Sequence, residues 1–146
     1  MTTIAWDGKT LAADSMMNMA GIPRACTKIW KLPLNRLLGC SGDYQDALAV
    51  KEYFLDEGAK KEKPKVRDNF TALLIRPIGV THGAAIFKLE DNLIPIPIKE
   101  KIFAIGSGSD FALAAMRLNC DAAVAVSIAI EFDVYSGGLI DAISLD

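Results

Sequence analysis

The chain has 146 residues, of which 51% are hydrophobic and 23% are charged, and its formal net charge is −2. This length is typical of one domain, so we expect a single domain over residues 1–146. The basic residues do not form one dominant patch, which argues against a nucleic-acid partner.

The three cysteines, Cys26, Cys40 and Cys120, have no CxxC spacing. This pattern argues against a disulfide framework or a zinc site and fits a reducing cytosol. No apolar run reaches membrane-spanning length, and the amino terminus lacks the pattern of a signal peptide. We therefore expect a cytoplasmic protein without membrane contacts.

The first half of the chain predicts a hairpin, a strand and a helix. The stretch "IAWDGKTLAA" alternates on both sides of Asp7-Gly8, a pair typical of a type I′ turn, in which both central residues need φ > 0. "RLLGCSG" predicts a buried strand that ends at glycine. The stretch after it has helical spacing, with Asp43 as the cap and Gly58 as the stop.

The second half predicts strands, two helices and a last strand. "FTALLIRP", "HGAAIFKL" and "NLIPIPI" are strand-like, and the last belongs at a sheet edge because proline cannot donate to a ladder. "KIFAIGSGSD" predicts a strand running into glycines. "FALAAMRLN" and "DAAVAVSIAIEF" predict helices buried on several sides, and "DVYSGGLIDAISLD" predicts a turn and a strand. Grouped helices and hairpin-linked strands indicate an α+β fold of stacked layers with antiparallel sheet, not a doubly wound parallel sheet.

Few residues are available for catalysis. The single histidine, His82, lies in a strand-like run, where a structural role is favoured, and one histidine argues against a metal cluster. Nucleophilic catalysis would then need another base. An α-amine has an ordinary pKa of about 7.7–8.0, and an amino-terminal threonine unites this base with a hydroxyl. Thr2 would be such a residue after removal of Met1, which is expected ahead of a small residue; alternatively, Thr2 only begins a strand.

This chemistry also needs an ammonium group near the amine, a carboxylate to hold that ammonium group, and a backbone N–H directed at the oxyanion. Five stretches that follow one another in the chain can supply these groups: "TTIAWDGKTLAADS", "TKIWKL", "LLGCSGD", "AIGSGSDFALAA" and "DVYSGGLID". In order and approximate spacing they resemble the proteasome β subunits and the HslV peptidase, which are threonine-type N-terminal nucleophile hydrolases. The resemblance spans nearly the whole chain and implies a shortened four-layer αββα sandwich.

The resemblance also implies a role for each matched residue. Thr2 would be the nucleophile, Lys28 would lower the pKa of its amine, and Asp14 would pair with Lys28. Alternatively, Asp14 and Lys28 form an ordinary ion pair. The Gly42 N–H would stabilise the oxyanion. The polar surround of the amine would consist of Ser107, Asp133 and Ser136.

A pocket for the side chain that precedes the cleaved bond is implied as well. Cys40 would lie at its base, and its walls would include Met16, Cys26, Trp30 and Tyr44. These residues are apolar or weakly polar, so we expect cleavage after medium-sized hydrophobic residues. Alternatively, Cys26 and Cys40 are plain core residues, as free cysteines often are.

Three functions follow from these observations. The preferred one is a threonine peptidase in a homo-oligomeric ring, acting on unfolded protein or peptides that a ring ATPase supplies, with ring contacts from the apolar helices. The second is a catalytically silent scaffold subunit, which retention of Met1 would favour. The third is an N-terminal nucleophile amidase acting on a small molecule. No cofactor and no metal is expected.

Overall fold

The structure is a computed structural model that describes residues 2–56, 62–80 and 83–146. Strands, one helix, strands, two helices and a strand follow one another, which confirms the predicted order. The elements are β1 (Ile4–Trp6), β2 (Thr10–Asp14), β3 (Met16–Met19), β4 (Ile22–Ala25), β5 (Ile29–Leu32), β6 (Arg36–Ser41), α1 (Tyr44–Leu55), β7 (Thr71–Ile78), β8 (Gly83–Leu89), β9 (Ile96–Ile98), β10 (Phe103–Ile105), α2 (Ser109–Arg117), α3 (Ala122–Phe132) and β11 (Ile140–Ser144). The predicted helix stop Gly58 and the histidine His82 lie outside the described residues.

The described strands form three antiparallel sheets. Their orders are β10-β1-β2-β11, β3-β4 and β5-β6-β7-β8-β9. The short strand β1 lies inside the first sheet, with a hydrogen-bonded neighbour on each side. The proline-containing strand β9 lies at an edge, as predicted. The three helices and the antiparallel sheets of the described residues confirm the α+β class.

Apolar clusters join the two larger sheets to each other and to the helices. Along β1, Ile4 and Trp6 contribute to the cluster shared with the five-stranded sheet, whereas Ala5 contributes to the cluster shared with α2 and α3. This alternation follows because successive side chains of a strand point to opposite faces. A third cluster packs Ala47 and Val50 of α1 against strands of the five-stranded sheet.

Two local features differ from the predictions. In the first hairpin only Gly8 has a positive φ, 99°, so the turn has the type II′ pattern and not the predicted type I′. The Asp7 carboxylate stabilises it by accepting hydrogen bonds from the backbone N–H groups of Lys9 and Thr10, at 2.8 and 2.7 Å. The β3–β4 hairpin was not predicted at all; its turn has positive φ at Ala20, 51°, and at Gly21, 82°.

The two carboxyl-terminal helices bury one face each. Prediction of burial on several sides was wrong, because α2 and α3 and the segments after them leave large apolar side chains exposed. These are Phe111, Leu118, Val124, Phe132, Val134, Tyr135 and Leu139. The rings of Phe111 and Phe132 stack on each other, with centroids 5.6 Å apart. Within the described ranges, no helix has the length and apolarity that a membrane span requires.

Candidate active site

The Thr2 hydroxyl lies beside a buried ammonium group. Thr2 is 2% exposed and lies two residues before β1, the strand inside the first sheet. The Lys28 Nζ donates to Thr2 Oγ1 at 3.1 Å, and also to both carboxylate oxygens of Asp14 at 3.0 Å. A positive charge in this place can stabilise an oxyanion that forms on Thr2 Oγ1. The structure thus brings together the three residues that the resemblance assigned to the centre of the site.

Asp14 holds three chain segments together. It is fully buried, and besides Lys28 it accepts hydrogen bonds from the Thr3 N–H to Oδ1, at 2.9 Å, and from the Gly137 N–H to Oδ2, at 3.0 Å. A buried carboxylate is tolerated when it is both paired and hydrogen-bonded, and Asp14 meets both conditions. It therefore fixes the start of β1 and the turn at Gly137 relative to the ammonium group of Lys28.

A second carboxylate organises the surround of the Thr2 nitrogen. That nitrogen donates to Ser107 Oγ at 3.1 Å, and Asp133 Oδ2 accepts from the hydroxyls of Ser107 and Ser136, at 2.6 Å each. A serine hydroxyl has one hydrogen. Because Ser107 donates it to Asp133, a lone pair of its oxygen faces the Thr2 nitrogen. The predicted set of Ser107, Asp133 and Ser136 is thus one connected network next to Thr2.

The charge of Asp133 is stabilised within this network. Its burial raises the pKa, but hydrogen bonds from Ser107, Ser136 and the backbone N–H of Tyr135, together with the positive charge of the amino terminus, bring the pKa of Asp133 below its ordinary value. Asp133 is therefore a carboxylate at neutral pH and acts as the acceptor for both serines.

Thr3 belongs to the same network, although the sequence did not identify it. Thr3 is fully buried, and its Oγ1 lies 2.7 Å from Ser136 Oγ. Ser136 donates its hydrogen to Asp133, so Thr3 is the donor in this pair. The signal available in the sequence was the hydroxyl pair Thr2-Thr3, which is equally typical of the start of a strand.

The glycines of "GSGS" are needed because Thr2 and Thr3 approach their backbone closely. Gly106 has a φ of +96°, and a Cβ at this position would overlap the Thr2 carbonyl group. A Cβ at Gly108 would overlap the Thr3 hydroxyl, and the Gly108 N–H donates to the Thr2 carbonyl at 3.2 Å. Close packing against the two threonines, rather than helix capping alone, explains both glycines.

Gly42 lies at the junction of β6 and α1. Its φ is +126°, a conformation that favours glycine. The preceding residue, Ser41, is the end of β6, and its Oγ lies 3.3 Å from the position of a Cβ built on Gly106. Because Gly106 packs on Thr2, this contact brings the β6–α1 junction to the side of the site where Thr2 lies.

The five predicted pocket residues lie in two places. Three of them, Cys40, Trp30 and Tyr44, belong to the apolar cluster between α1 and the five-stranded sheet. Met16 begins β3, and its Sδ packs over Gly137, 2.9 Å from where a Cβ would lie. Cys26 follows β4, and its backbone N–H donates to the Ser15 carbonyl at 2.8 Å.

The thiols of Cys26 and Cys40 differ in their surroundings. Cys40 is 2% exposed, and burial raises the pKa of its thiol far above the ordinary value. Burial also raises the pKa of Cys26; the charge of Lys28 opposes this effect, while the carboxylates of Asp14 and Asp141 add to it. Cys26 is thus close enough to the Lys28–Asp14 pair to respond to its charges.

Comparison with solved structures identifies the type of fold. No protein-family model and no curated protein matches the sequence. Among solved structures, BPH from Thiobacillus denitrificans is 20% identical, with a TM-score of 0.70 over 99% of this chain and 98% of its own. Eukaryotic HslV from Trypanosoma brucei is 19% identical, with a TM-score of 0.69 over 99% of both chains. The chain therefore has the HslV and proteasome-β type of fold that the sequence motifs predicted.

Proposed function

We propose that this chain is a threonine peptidase that hydrolyses peptide bonds with Thr2 as the nucleophile, after removal of Met1. One observation carries the proposal. The Lys28 Nζ lies 3.1 Å from Thr2 Oγ1, in a buried site where Asp14 holds the ammonium group. An ordinary ion pair does not require a third contact with a threonine hydroxyl, whereas activation of that hydroxyl does.

Removal of Met1 turns the backbone nitrogen of Thr2 into an α-amine. The positive charge of Lys28 favours the neutral, proton-accepting form of that amine. As Thr2 Oγ1 attacks the carbonyl carbon of the substrate, the amine takes the hydroxyl proton. The hydrogen bond between this nitrogen and Ser107 Oγ, 3.1 Å in the structure, limits its rotation and keeps its lone pair available to the hydroxyl.

The tetrahedral intermediate carries its negative charge on the former carbonyl oxygen, and the Gly42 N–H donates to this oxygen. Collapse of the intermediate breaks the C–N bond, and the leaving amine takes the proton from the α-ammonium group. The product is an ester between the acyl group and Thr2 Oγ1. Water then hydrolyses this ester, with the amine again accepting a proton, and the free threonine returns.

The proposal extends to specificity and assembly. Cys40, Trp30 and Tyr44 from the cluster at α1, together with Met16 and Cys26 from the second place, form the pocket that accepts medium-sized hydrophobic side chains. The apolar clusters on both sides of the two larger sheets support a four-layer αββα sandwich formed by one domain. Apolar side chains left exposed on α2 and α3 support subunit contacts in a homo-oligomeric ring. A cytoplasmic ring ATPase that supplies unfolded protein is the expected partner.

The deciding experiment is the intact mass of the purified protein, with and without a peptide epoxyketone. This reagent forms its stable adduct with the hydroxyl and the free α-amine of one amino-terminal residue, so it reports both groups at once. We expect loss of one methionine and one adduct per chain, no adduct with Thr2→Ala, and an adduct with Thr2→Ser. Retained Met1 without an adduct would instead identify a silent scaffold subunit. Adduct formation with hydrolysis of small amides, but not of peptides, would identify an amidase.

A further inference from the structure

A tight turn packs against Gly42, on the side where a Cβ atom would lie. A Cβ built on Gly42 would lie 3.2 Å from Phe70 Cα and 3.6 Å from the Asn69 carbonyl oxygen. These residues belong to a turn over 67–70 that the Phe70 N–H closes on the Arg67 carbonyl at 3.4 Å. Phe70 is 2% exposed and packs in the core beneath α1. The turn thus packs against Gly42 and is itself anchored in the core by Phe70.

The side chain of Asp46 fastens this turn to the first turn of α1. Its Oδ2 accepts from the Arg67 backbone N–H at 2.9 Å, and its Oδ1 accepts from Arg67 Nη1 at 3.0 Å. The amino terminus of α1 does not need Asp46 as its cap, because the Asp43 carboxylate already accepts from Gln45 N and Asp46 N. Asp46 is nevertheless buried, with an exposed fraction of 7%. The hydrogen-bond partners of its carboxylate are the two Arg67 groups, so the carboxylate serves the turn and not the helix cap.

We infer that Asp46 is a positioning residue that fixes the direction of the Gly42 N–H, an inference that rests on the proposed function. Glycine has an unusually free backbone, and Gly42 has a φ of +126°. A freely rotating peptide cannot offer a preorganised donor to an oxyanion. The Asp46 contact with Arg67 holds the turn against Gly42 and thereby limits this rotation.

The two contacts of Asp46 differ in importance. The Arg67 guanidinium is exposed, its side chain being 61% accessible, and exposed ion pairs contribute little. The bond from the Arg67 backbone N–H is the one that fixes the turn. Arg67→Met, which keeps this backbone bond, should therefore change kcat by less than about threefold. Substitutions of Asp46 itself should have the larger effect.

The test compares Asp46→Ala and Asp46→Asn with Asp7→Ala as a matched control. Asp7 is also a carboxylate that accepts backbone N–H groups and joins a helix terminus, through Ala122 N at 2.8 Å. It lies about 16 Å along the strand from Thr2. The readouts are kcat and KM for a fluorogenic peptide, and the inhibition constants of a peptide aldehyde and of the same peptide as its amide. Only the aldehyde forms a hemiacetal whose oxygen occupies the oxyanion position.

We expect Asp46→Ala, which removes the acceptor of the Arg67 N–H, to lower kcat by about 10- to 100-fold, with KM changed by less than about twofold, because a displaced oxyanion donor acts on the transition state. The aldehyde should lose affinity by a similar factor and the amide should not. Asp46→Asn, whose amide oxygen can still accept from the Arg67 N–H, should lie between Asp46→Ala and the wild type. Asp7→Ala should leave all four values unchanged.

Each outcome bears on a different statement. An unchanged kcat in Asp46→Ala, an Asp46→Asn variant as slow as Asp46→Ala, or an equal loss in Asp7→Ala would overturn the positioning role while the peptidase function stood. Equal losses of aldehyde and amide affinity would do the same, because they would indicate a disturbed pocket. A wild-type protein without hydrolysis and without an epoxyketone adduct would overturn the proposed function, and this inference with it.

Discussion

The ammonium group of Lys28 lies 3.0 Å from both carboxylate oxygens of Asp14, and the two side chains are 5% and 0% exposed. Lys28→Met would leave the Asp14 carboxylate buried without its counter-charge. Loss of one partner of a buried pair costs about 3–5 kcal/mol of unfolding free energy. We expect a loss of this size in urea unfolding, together with loss of peptide hydrolysis.

The double variant Asp14→Asn/Lys28→Met separates stability from activity. It removes both charges, so part of the lost unfolding free energy should return, since replacement of a whole buried pair costs far less than removal of one partner. Activity should not return, because no ammonium group then faces Thr2 Oγ1. A double variant as unstable as Lys28→Met, or one that hydrolyses peptides, would contradict this account of the pair.

Gly106→Ala should inactivate the protein by displacing the Thr2 carbonyl group, which a Cβ at this position would overlap. Its matched control is Gly21→Ala, because Gly21 also has a positive φ, +82°, but has no atom within 4 Å of its Cβ position. The control should lose only the conformational cost of about 1–2 kcal/mol and keep its kcat. Gly106→Ala should be less stable than the control in urea unfolding, and its kcat should fall. Equal stability and equal kcat of the two variants would show that Thr2 can shift without loss of function.

The pH dependence of stability should reveal the charge of Asp133. Its pKa in the folded protein is lowered, so its contribution to stability is present above the unfolded pKa of about 3.9 and is lost as the pH falls through the folded value. The unfolding free energies of the wild type and Asp133→Asn should therefore differ by a constant amount between about pH 5 and 7 and converge below about pH 4. Urea titrations at each pH measure this, with the surface change Asp91→Asn as control for net charge. A difference that does not vary with pH would rule out the carboxylate network.

Alkylation should distinguish Cys40 from the other two cysteines. Burial raises the pKa of the Cys40 thiol, so the thiol stays protonated at pH 8 and unreactive in the native protein. Native protein treated with iodoacetamide should retain Cys40 unmodified, whereas all three cysteines of the chain should react in urea. Peptide mapping by mass spectrometry reads the site of modification. Rapid native alkylation of Cys40 would place it on an open surface instead of in the packed cluster between α1 and the five-stranded sheet.

Local patterns in the sequence were sufficient for most elements. The first hairpin follows from Asp7-Gly8, the cap of α1 from Asp43, and the edge position of β9 from its proline. The β3–β4 hairpin lacked such a pattern, because its turn places an alanine, Ala20, at a φ of 51°. The sequence also did not predict that α2 and α3 each leave one face exposed. Both helices carry apolar side chains nearly all round, so their sequences do not indicate which face packs against the core.

The site was predictable only through its motifs. Thr2, Lys28 and Asp133 come from distant parts of the chain, and no local periodicity brings them together. The family resemblance grouped them in one site, and in the structure hydrogen bonds connect Thr2 to Lys28 and, through Ser107, to Asp133. Thr3 escaped detection because its role depends on one contact with Ser136, which is 133 positions away in sequence. A contact between residues so far apart in sequence depends on the fold and produces no local sequence pattern.

The central position of β1 has a consequence for the protein during its synthesis. Its neighbours in the sheet are β2, which follows it immediately, and β10, which begins at Phe103. The contact of the Thr2 nitrogen with Ser107 spans 105 positions, and that of Thr3 with Ser136 spans 133. A nascent chain on the ribosome therefore carries Thr2 from the start but cannot assemble the groups around it until almost all of its residues have been translated. Under the proposed function, this order of assembly would keep an incomplete chain from cleaving other proteins.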